Sequence, residues 1–286
     1  MVKFLRVWVF VLSFLCVGGV ARGQYPANWT TNHAPFRVIG TVYSVGSQDL
    51  ASYLVVTRDG LILINSNLAR SVPQIRHNVE ALGFRFQDIK ILLISHAHID
   101  HASGSAALKR ATGAQYMVMD GDVATVEDGG RSDFKFGQKK TDWYPPAKVD
   151  RVLHDGEVVR LGGVELTAHK TAGHTKGCTT WTMRVEEGGK TYDVVILGSP
   201  NVLSEYRLKG DPNYPTQAAD FQRQFHLLEG LKCDVFLASH ASAFGMEKKY
   251  ERLRAGDALA FVDPAGYRAY VADRKAAFEK ALAAAK

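Results

Sequence analysis

The chain has 286 residues, of which 46% are hydrophobic and 22% charged, with 35 basic against 29 acidic side chains and a formal net charge of +6. This composition excludes a disordered chain, and the length suits one large α/β domain. The basic residues are scattered and never run longer than two together, which argues against a nucleic-acid partner despite the positive charge.

In chain order, Lys3 and Arg6 precede an apolar stretch from Val7 to Val20, and Ala21-Arg22-Gly23 supplies small residues after it. This pattern predicts a secretory signal peptide over residues 1–23, cut before Gln24, because the apolar stretch is shorter than the ~20 residues of a spanning helix. Bulky Phe14 and Leu15 ahead of Cys16 disfavour a lipid attachment. Residues 24–286 are then one mature domain, exported to a bacterial periplasm, off the membrane after cleavage, with a monomer as the default.

The segments "FRVIGTVYSVG" (36–46) and "SYLVVTRDGLILINS" (52–66) alternate apolar and polar residues, with a hairpin turn at Asp59-Gly60. A helix is predicted over 71–84, where Ser71 can cap and Ile75, Val79 and Leu82 recur at helical spacing. "DIKILLIS" (88–95) is a continuous apolar run, hence a buried strand, and His96 to His101 follow it as a loop. A short helix over 103–112 and a strand over 115–120 come next. Strands then run through 150–185 and 191–199, with turns at Asp155-Gly156, Gly162-Gly163 and Gly188-Gly189. A helix over 217–231, a strand over 233–240 and a helix over 267–286 complete the chain. Strands followed by helices, twice over, suggest two stacked sheets with helices outside.

The chemistry is concentrated in "HAHIDH", residues 96–101. His96 and His98 are two apart, so an extended backbone points both to one side, and Asp100-His101 continues the donors. Imidazoles with a carboxylate suit Zn²⁺ and make Mg²⁺ or Ca²⁺ poor candidates, while iron and manganese stay open on the donors alone. His174 in "TAGHTKG" and His240 in "FLASHASAF" also stand at strand ends. With them the donors suffice for two metal sites.

These motifs resemble the HxHxDH...H...H pattern of the metallo-β-lactamase superfamily, over nearly all of the mature chain. The resemblance implies an αββα sandwich, an α/β fold of two mixed sheets flanked by helices. It implies that His96, His98 and His174 hold one zinc and Asp100, His101 and His240 a second. Many hydrolases of the superfamily bridge their metals with an aspartate after the strand that follows the glycine-histidine loop. Here that place reads Leu197-Gly198-Ser199-Pro200, which is similar to subclass B3 metallo-β-lactamases. The resemblance then implies hydrolysis of a small-molecule β-lactam by a metal-bound hydroxide, with Asp100 orienting the nucleophile. It also implies Ser199 and Asn201 at the substrate carboxylate and Tyr206 at the developing oxyanion. The alternative is another zinc hydrolase, acting on an ester, lactone or thioester.

Some positions depart from the family pattern. Asn65 stands where an aspartate is common, Asn201 where a serine is usual, and Ala172 where a proline often precedes the glycine-histidine pair. His33, His77, His154, His169 and His226 match no ligand position and are expected to be structural or solvated, and Trp181 to lie in the core. Cys178 and Cys233 are expected to be buried free thiols.

Overall fold

Alternate residues of the early strands belong to two different cores. Tyr53, Val55, Ile62, Ile64, Ile91 and Leu93 join one buried cluster, while Leu54, Leu61, Leu63 and Leu92 join the other. A strand turns successive side chains to opposite faces, so a sheet that is apolar on both must be covered on both. The computed structural model describes residues 25–285, and the leader assigned to residues 1–23 lies outside them.

The first sheet runs in sequence order through β1 (Phe36–Ile39), β2 (Val42–Ser44), β3 (Tyr53–Thr57), β4 (Gly60–Ile64), β5 (Ile89–Leu93), β6 (Gln115–Met119) and β7 (Arg151–Leu153). Pairing is antiparallel as far as β4 and parallel from there on. The predicted run over 36–46 is therefore two strands, broken where the register shifts between Arg37 and Ile39 and where Gly40 takes φ +50°. Helices α1 (Val72–Ala81) and α3 (Ser105–Thr112) accompany this sheet, and Val72, Ile75, Val79 and Leu108 share the cluster of Leu54 and Leu92.

The second sheet has the order β12-β11-β10-β9-β8, from β8 (Val158–Leu161), β9 (Val164–Lys170), β10 (Thr179–Glu187), β11 (Lys190–Leu197) and β12 (Val235–Ala238). Trp181 and Met183 of β10 pair with Ile196 and Val194 of β11 and join the cluster that takes in Tyr53 and Ile62, so this core lies between the sheets. Helices α5 (Gln217–Gly230) and α7 (Pro264–Ala284) pack together through Phe221, Phe225 and Phe278. Tyr267 and Tyr270 of α7 pack on Phe236 of β12. Two sheets with helices on both outer faces are the αββα sandwich expected.

Several local expectations need correction. Ser71 makes no capping hydrogen bond, because a 3₁₀ turn over Ala69–Ser71 already places it at φ −84°, ψ −12°, without the extended backbone of a cap. The HAHIDH segment is only partly a loop: Ile99–Ala102 forms a helical turn, α2. The last helix starts at Pro264, earlier than expected, because the Asp263 side chain accepts from Gly266 N and Pro264 suits a first turn. Helices α4 (Val123–Asp128) and α6 (Met246–Arg254) were not foreseen. Among the described residues no helix is long and apolar enough to cross a membrane.

The site lies where strands end. β4, β5 and β6 run parallel, as do β11 and β12, so their carboxyl ends gather at one edge of each sheet. Trp181 Nε1 donates to Ile94 O at 3.1 Å and Thr179 N to Ser95 O at 2.7 Å, which joins the two sheets directly beneath His96.

Candidate metal centre

Six donor side chains arrive from four chain segments. His96 and His98 extend from the end of β5, and the turn of α2 brings Asp100 and His101 back beside them. His174 comes from the loop after β9 and His240 from the end of β12. One ligand atom each from His96, His98 and His174 lies within 4.8 Å of the others, and the same holds for His96, Asp100 and His101. His240 completes the second group: its Nε2 is 3.2 Å from His101 Nε2 and 3.4 Å from Asp100 Oδ2, while His101 Nε2 is 3.2 Å from Asp100 Oδ2. Tetrahedral zinc with bonds near 2.0 Å sets its ligand atoms about 3.3 Å apart. These three atoms already have that spacing.

The outer ring nitrogens fix which inner ones face a metal. His96 Nδ1 lies 3.1 Å from Ser95 Oγ, His174 Nδ1 2.8 Å from Asn201 O, and His240 Nδ1 3.0 Å from Asp49 Oδ2. Each therefore turns Nε2 inward. His98 is reversed, with Nε2 3.6 Å from Asp133 Oδ2. Burial and the neighbouring imidazoles hold His96 well below the ordinary histidine pKa, and burial with His98 brings His174 to about 3. Neutral imidazoles are the form that binds metal. Burial would raise the Asp49 carboxyl, but hydrogen bonds from His240 and Ser242 outweigh it and hold the pKa at about 2. Asp49 is thus an anion behind His240, the usual carboxylate–histidine–metal order.

Ala97, between the first two histidines, is held at both ends. Its N–H donates to Asp122 Oδ2 at 2.8 Å, and its carbonyl accepts from the Tyr144 hydroxyl at 2.5 Å. Asp122 also accepts from Thr175 Oγ1 and Gly177 N, both at 2.8 Å, so one buried carboxylate clamps the HAHIDH segment to the His174 loop. Burial pushes its pKa up to about 6 against those three hydrogen bonds. Gly177 is needed for the approach, since a Cβ there would lie 2.4 Å from Asp122 N. Asn65, at φ +69°, accepts from Ser95 N at 2.7 Å and donates to Ala51 O at 3.3 Å. Its amide oxygen thus supports the segment without charge, and its N–H₂ makes a bond that a carboxylate could not.

The remaining expected site residues divide. Ser199 lines the same cavity of about 360 Å³ as His96, His98, Asp100, His174 and His240. Its hydrogen bonds within the described residues run through the backbone: N to Cys178 Sγ at 3.2 Å and O from Gln224 Nε2 at 3.0 Å. Asn201 also lines the cavity, and its carbonyl is the partner of His174. Tyr206, expected at the developing oxyanion, stands beside the His174 loop. Its hydroxyl donates to His174 O at 2.6 Å, so its proton is committed to the loop that carries a ligand.

Sequence reasoning missed the cavity wall formed by Tyr25 and Trp29. Their rings stack at 5.6 Å, Trp29 lies 5.8 Å from the His240 ring, and the Tyr25 hydroxyl reaches Thr141 O at 3.4 Å across the opening. No spacing signal marks them. A larger groove of about 950 Å³, lined by Lys170, Lys176, Arg223 and His226, holds none of the donors. Of the other histidines, His33 packs edge-on against Tyr250, His169 bonds Thr182 Oγ1 at 2.8 Å, and His154 faces Asp120 at 3.6 Å. Trp181 is core, and Cys178 and Cys233 are buried and free.

Comparison with known proteins places this geometry among zinc enzymes. Residues 50–185 match the metallo-β-lactamase superfamily. Ninety per cent of the chain superposes on the native FEZ-1 metallo-β-lactamase from Legionella gormanii, at 48% identity and a TM-score of 0.89, covering 98% of that chain. BJP-1, a subclass B3 metallo-β-lactamase of Bradyrhizobium japonicum, is 34% identical with a TM-score of 0.85, over 90% of this chain and 96% of that one. The class B3 di-zinc metallo-β-lactamase LRA-12 from an Alaskan soil metagenome is 35% identical with a TM-score of 0.86, over 90% and 97%. A probable metallo-hydrolase of Burkholderia pseudomallei is 32% identical over 113 residues, 40% of this chain and 36% of that protein. A hydroxyacylglutathione hydrolase of Cereibacter sphaeroides is 31% identical over 106 residues, 37% and 34% respectively. The chain thus matches about a third of the length of these curated relatives.

Proposed function

The chain belongs to the metallo-β-lactamase superfamily and to its subclass B3, and from that membership we propose that it is a two-zinc β-lactamase that opens the β-lactam amide bond and so confers antibiotic resistance. The observation that carries the reading is Ser199 at the end of β11, facing the same cavity as both donor groups where a bridging aspartate would mark a lactone or thioester hydrolase.

His96, His98 and His174 would hold the first zinc, and Asp100, His101 and His240 the second. When bound, zinc supplies Lewis acidity and a water deprotonated at neutral pH. The Asp100 carboxylate, held ionised against its burial by His101 and His240, has a charge with which to orient a nucleophile. The Ser199 hydroxyl is available to bind a substrate carboxylate, with Asn201 beside it. Tyr206 acts on the chemistry through His174, whose carbonyl it holds, rather than by touching substrate. The aromatic pair Tyr25 and Trp29 offers an apolar surface to a substituent of the lactam ring.

Residues 1–23 have the pattern of a signal peptide, which supports export to the periplasm and a mature enzyme beginning at Gln24. Hydrolysis of a chromogenic cephalosporin by purified protein, with and without a chelator, tests the activity, and an acyl-homoserine lactone tests the alternative. Cleavage of the lactone alone would replace this reading.

A further inference from the structure

The two oxygens of the Asp133 carboxylate do different things. Oδ1 accepts from Lys135 N at 2.8 Å and Phe136 N at 2.6 Å, which folds the loop over 130–137 around it. Oδ2 faces His98 Nε2 at 3.6 Å, ion-pair distance, and that buried nitrogen has no hydrogen-bond partner among the described residues. The Asp133 side chain is 6% exposed and that of His98 11%, and such burial strengthens the attraction between them. The same loop touches the histidine group in two further places. The Phe136 ring lies edge-on to His98 at 5.4 Å, and Phe134 packs at 5.3 Å on Tyr206, whose hydroxyl holds His174.

An anion behind a ligating imidazole fixes its tautomer and ring orientation and strengthens it as a donor. Behind His240 that anion is Asp49, fixed by bonds from Ser242 N to its carboxylate and from Ala241 N to its carbonyl at the end of a core strand. Behind His98 it is Asp133, which belongs to the loop that walls the substrate cavity.

We propose that Asp133 is a positioning residue for the first zinc site: it holds His98 with Nδ1 toward the metal and ties the 130–137 loop to that metal. The inference rests on the two-zinc reading of the site and is independent of the substrate. Asp133→Asn separates the two duties. Its amide oxygen can still accept from Lys135 and Phe136, but its N–H₂ would meet the His98 Nε2–H, donor against donor. Asp133→Ala loses both.

The test uses the zinc-loaded enzyme, titrated with a chromogenic chelator, with amide hydrogen exchange over 133–137. Asp133→Asn is expected to release one zinc with an affinity lower by about 10–100-fold, while the amides of Lys135 and Phe136 stay protected. Asp133→Ala is expected to lose that zinc and the protection together, and stripping zinc from the parent is expected to speed exchange in the loop. Zinc retention by Asp133→Asn equal to the parent's would overturn the positioning role, and loop exchange indifferent to zinc would overturn the tie. A parent that binds no zinc would instead refute the reading of the site.

Discussion

His101 and His240 bring their Nε2 atoms to 3.2 Å of one another although 139 residues separate them in sequence. With Asp100 they form a donor group that contains no bridging carboxylate, so a second metal held there would have one carboxylate and two imidazole ligands. His240→Ala is expected to lose about one zinc per chain and nearly all activity while the fold survives. Metal analysis beside circular dichroism checks this, and a variant that keeps two zincs and full activity would contradict the assignment.

Ser199 offers a test of substrate class. Its hydroxyl in contact with a substrate carboxylate would contribute ~1.5–3 kcal/mol, so Ser199→Ala should lower kcat/KM roughly ten- to a hundredfold, mainly through KM, with zinc content unchanged. Ser199→Asp should repel a β-lactam still more. Steady-state kinetics with one penicillin and one lactone decide the matter, and unchanged β-lactam kinetics in both variants would remove Ser199 from the site.

Trp29 touches a candidate substrate surface and no expected metal-bound atom. Trp29→Ala should raise KM for lactams with bulky apolar substituents about tenfold, a loss of order 1 kcal/mol, and leave zinc affinity as it was. Comparing a bulky with a small penicillin separates this from general damage, which would affect both alike.

Asp263 caps α7 and lies 2.9 Å from the buried ammonium of Lys249. Burial raises its pKa, but Lys249 and Gly266 N–H outweigh this and leave it below the usual 3.8. A depressed carboxyl stabilises the fold above its unfolded pKa, and that contribution is lost as pH falls through the folded one. Asp263→Ala should therefore cost about 2–3 kcal/mol at neutral pH, with the gap to the parent closing below pH 3.8. Urea unfolding of the zinc-free proteins at both pH values is the measurement.

Cys178 and Cys233 should titrate as two free thiols in unfolded, unreduced protein. Burial pushes both pKa values up to about 12, so neither should react with a thiol reagent while the protein is folded. Rapid labelling of native enzyme would contradict this.

The donor residues were legible because each ends a strand whose apolar pattern is itself legible: His96 after Ile89–Leu93, His174 after Val164–Lys170, His240 after Val235–Ala238. Their supports were not. Asp49, Asp122 and Asp133 sit in loops and 3₁₀ turns, where nothing in the local spacing sets them apart from solvated carboxylates, and only tertiary folding aims them. The hydrogen bond from the Tyr206 hydroxyl to His174 O was likewise not legible, since a residue's place in a motif does not tell which partner its hydroxyl finds. Ser71 shows the same for capping: the residue type suits a cap, but the 3₁₀ turn before it had already begun the helix.

Each donor group draws on both sheets: His96 and His98 with His174, Asp100 and His101 with His240. A zinc ion held in either place would cross-link the halves of the sandwich, closing a long stretch of chain much as a disulfide would, while the two cysteines among the described residues stay free. Zinc scarcity would then shorten the life of the protein as well as stop its chemistry. The zinc-free protein is expected to stay folded but to unfold at a lower urea concentration than the loaded one.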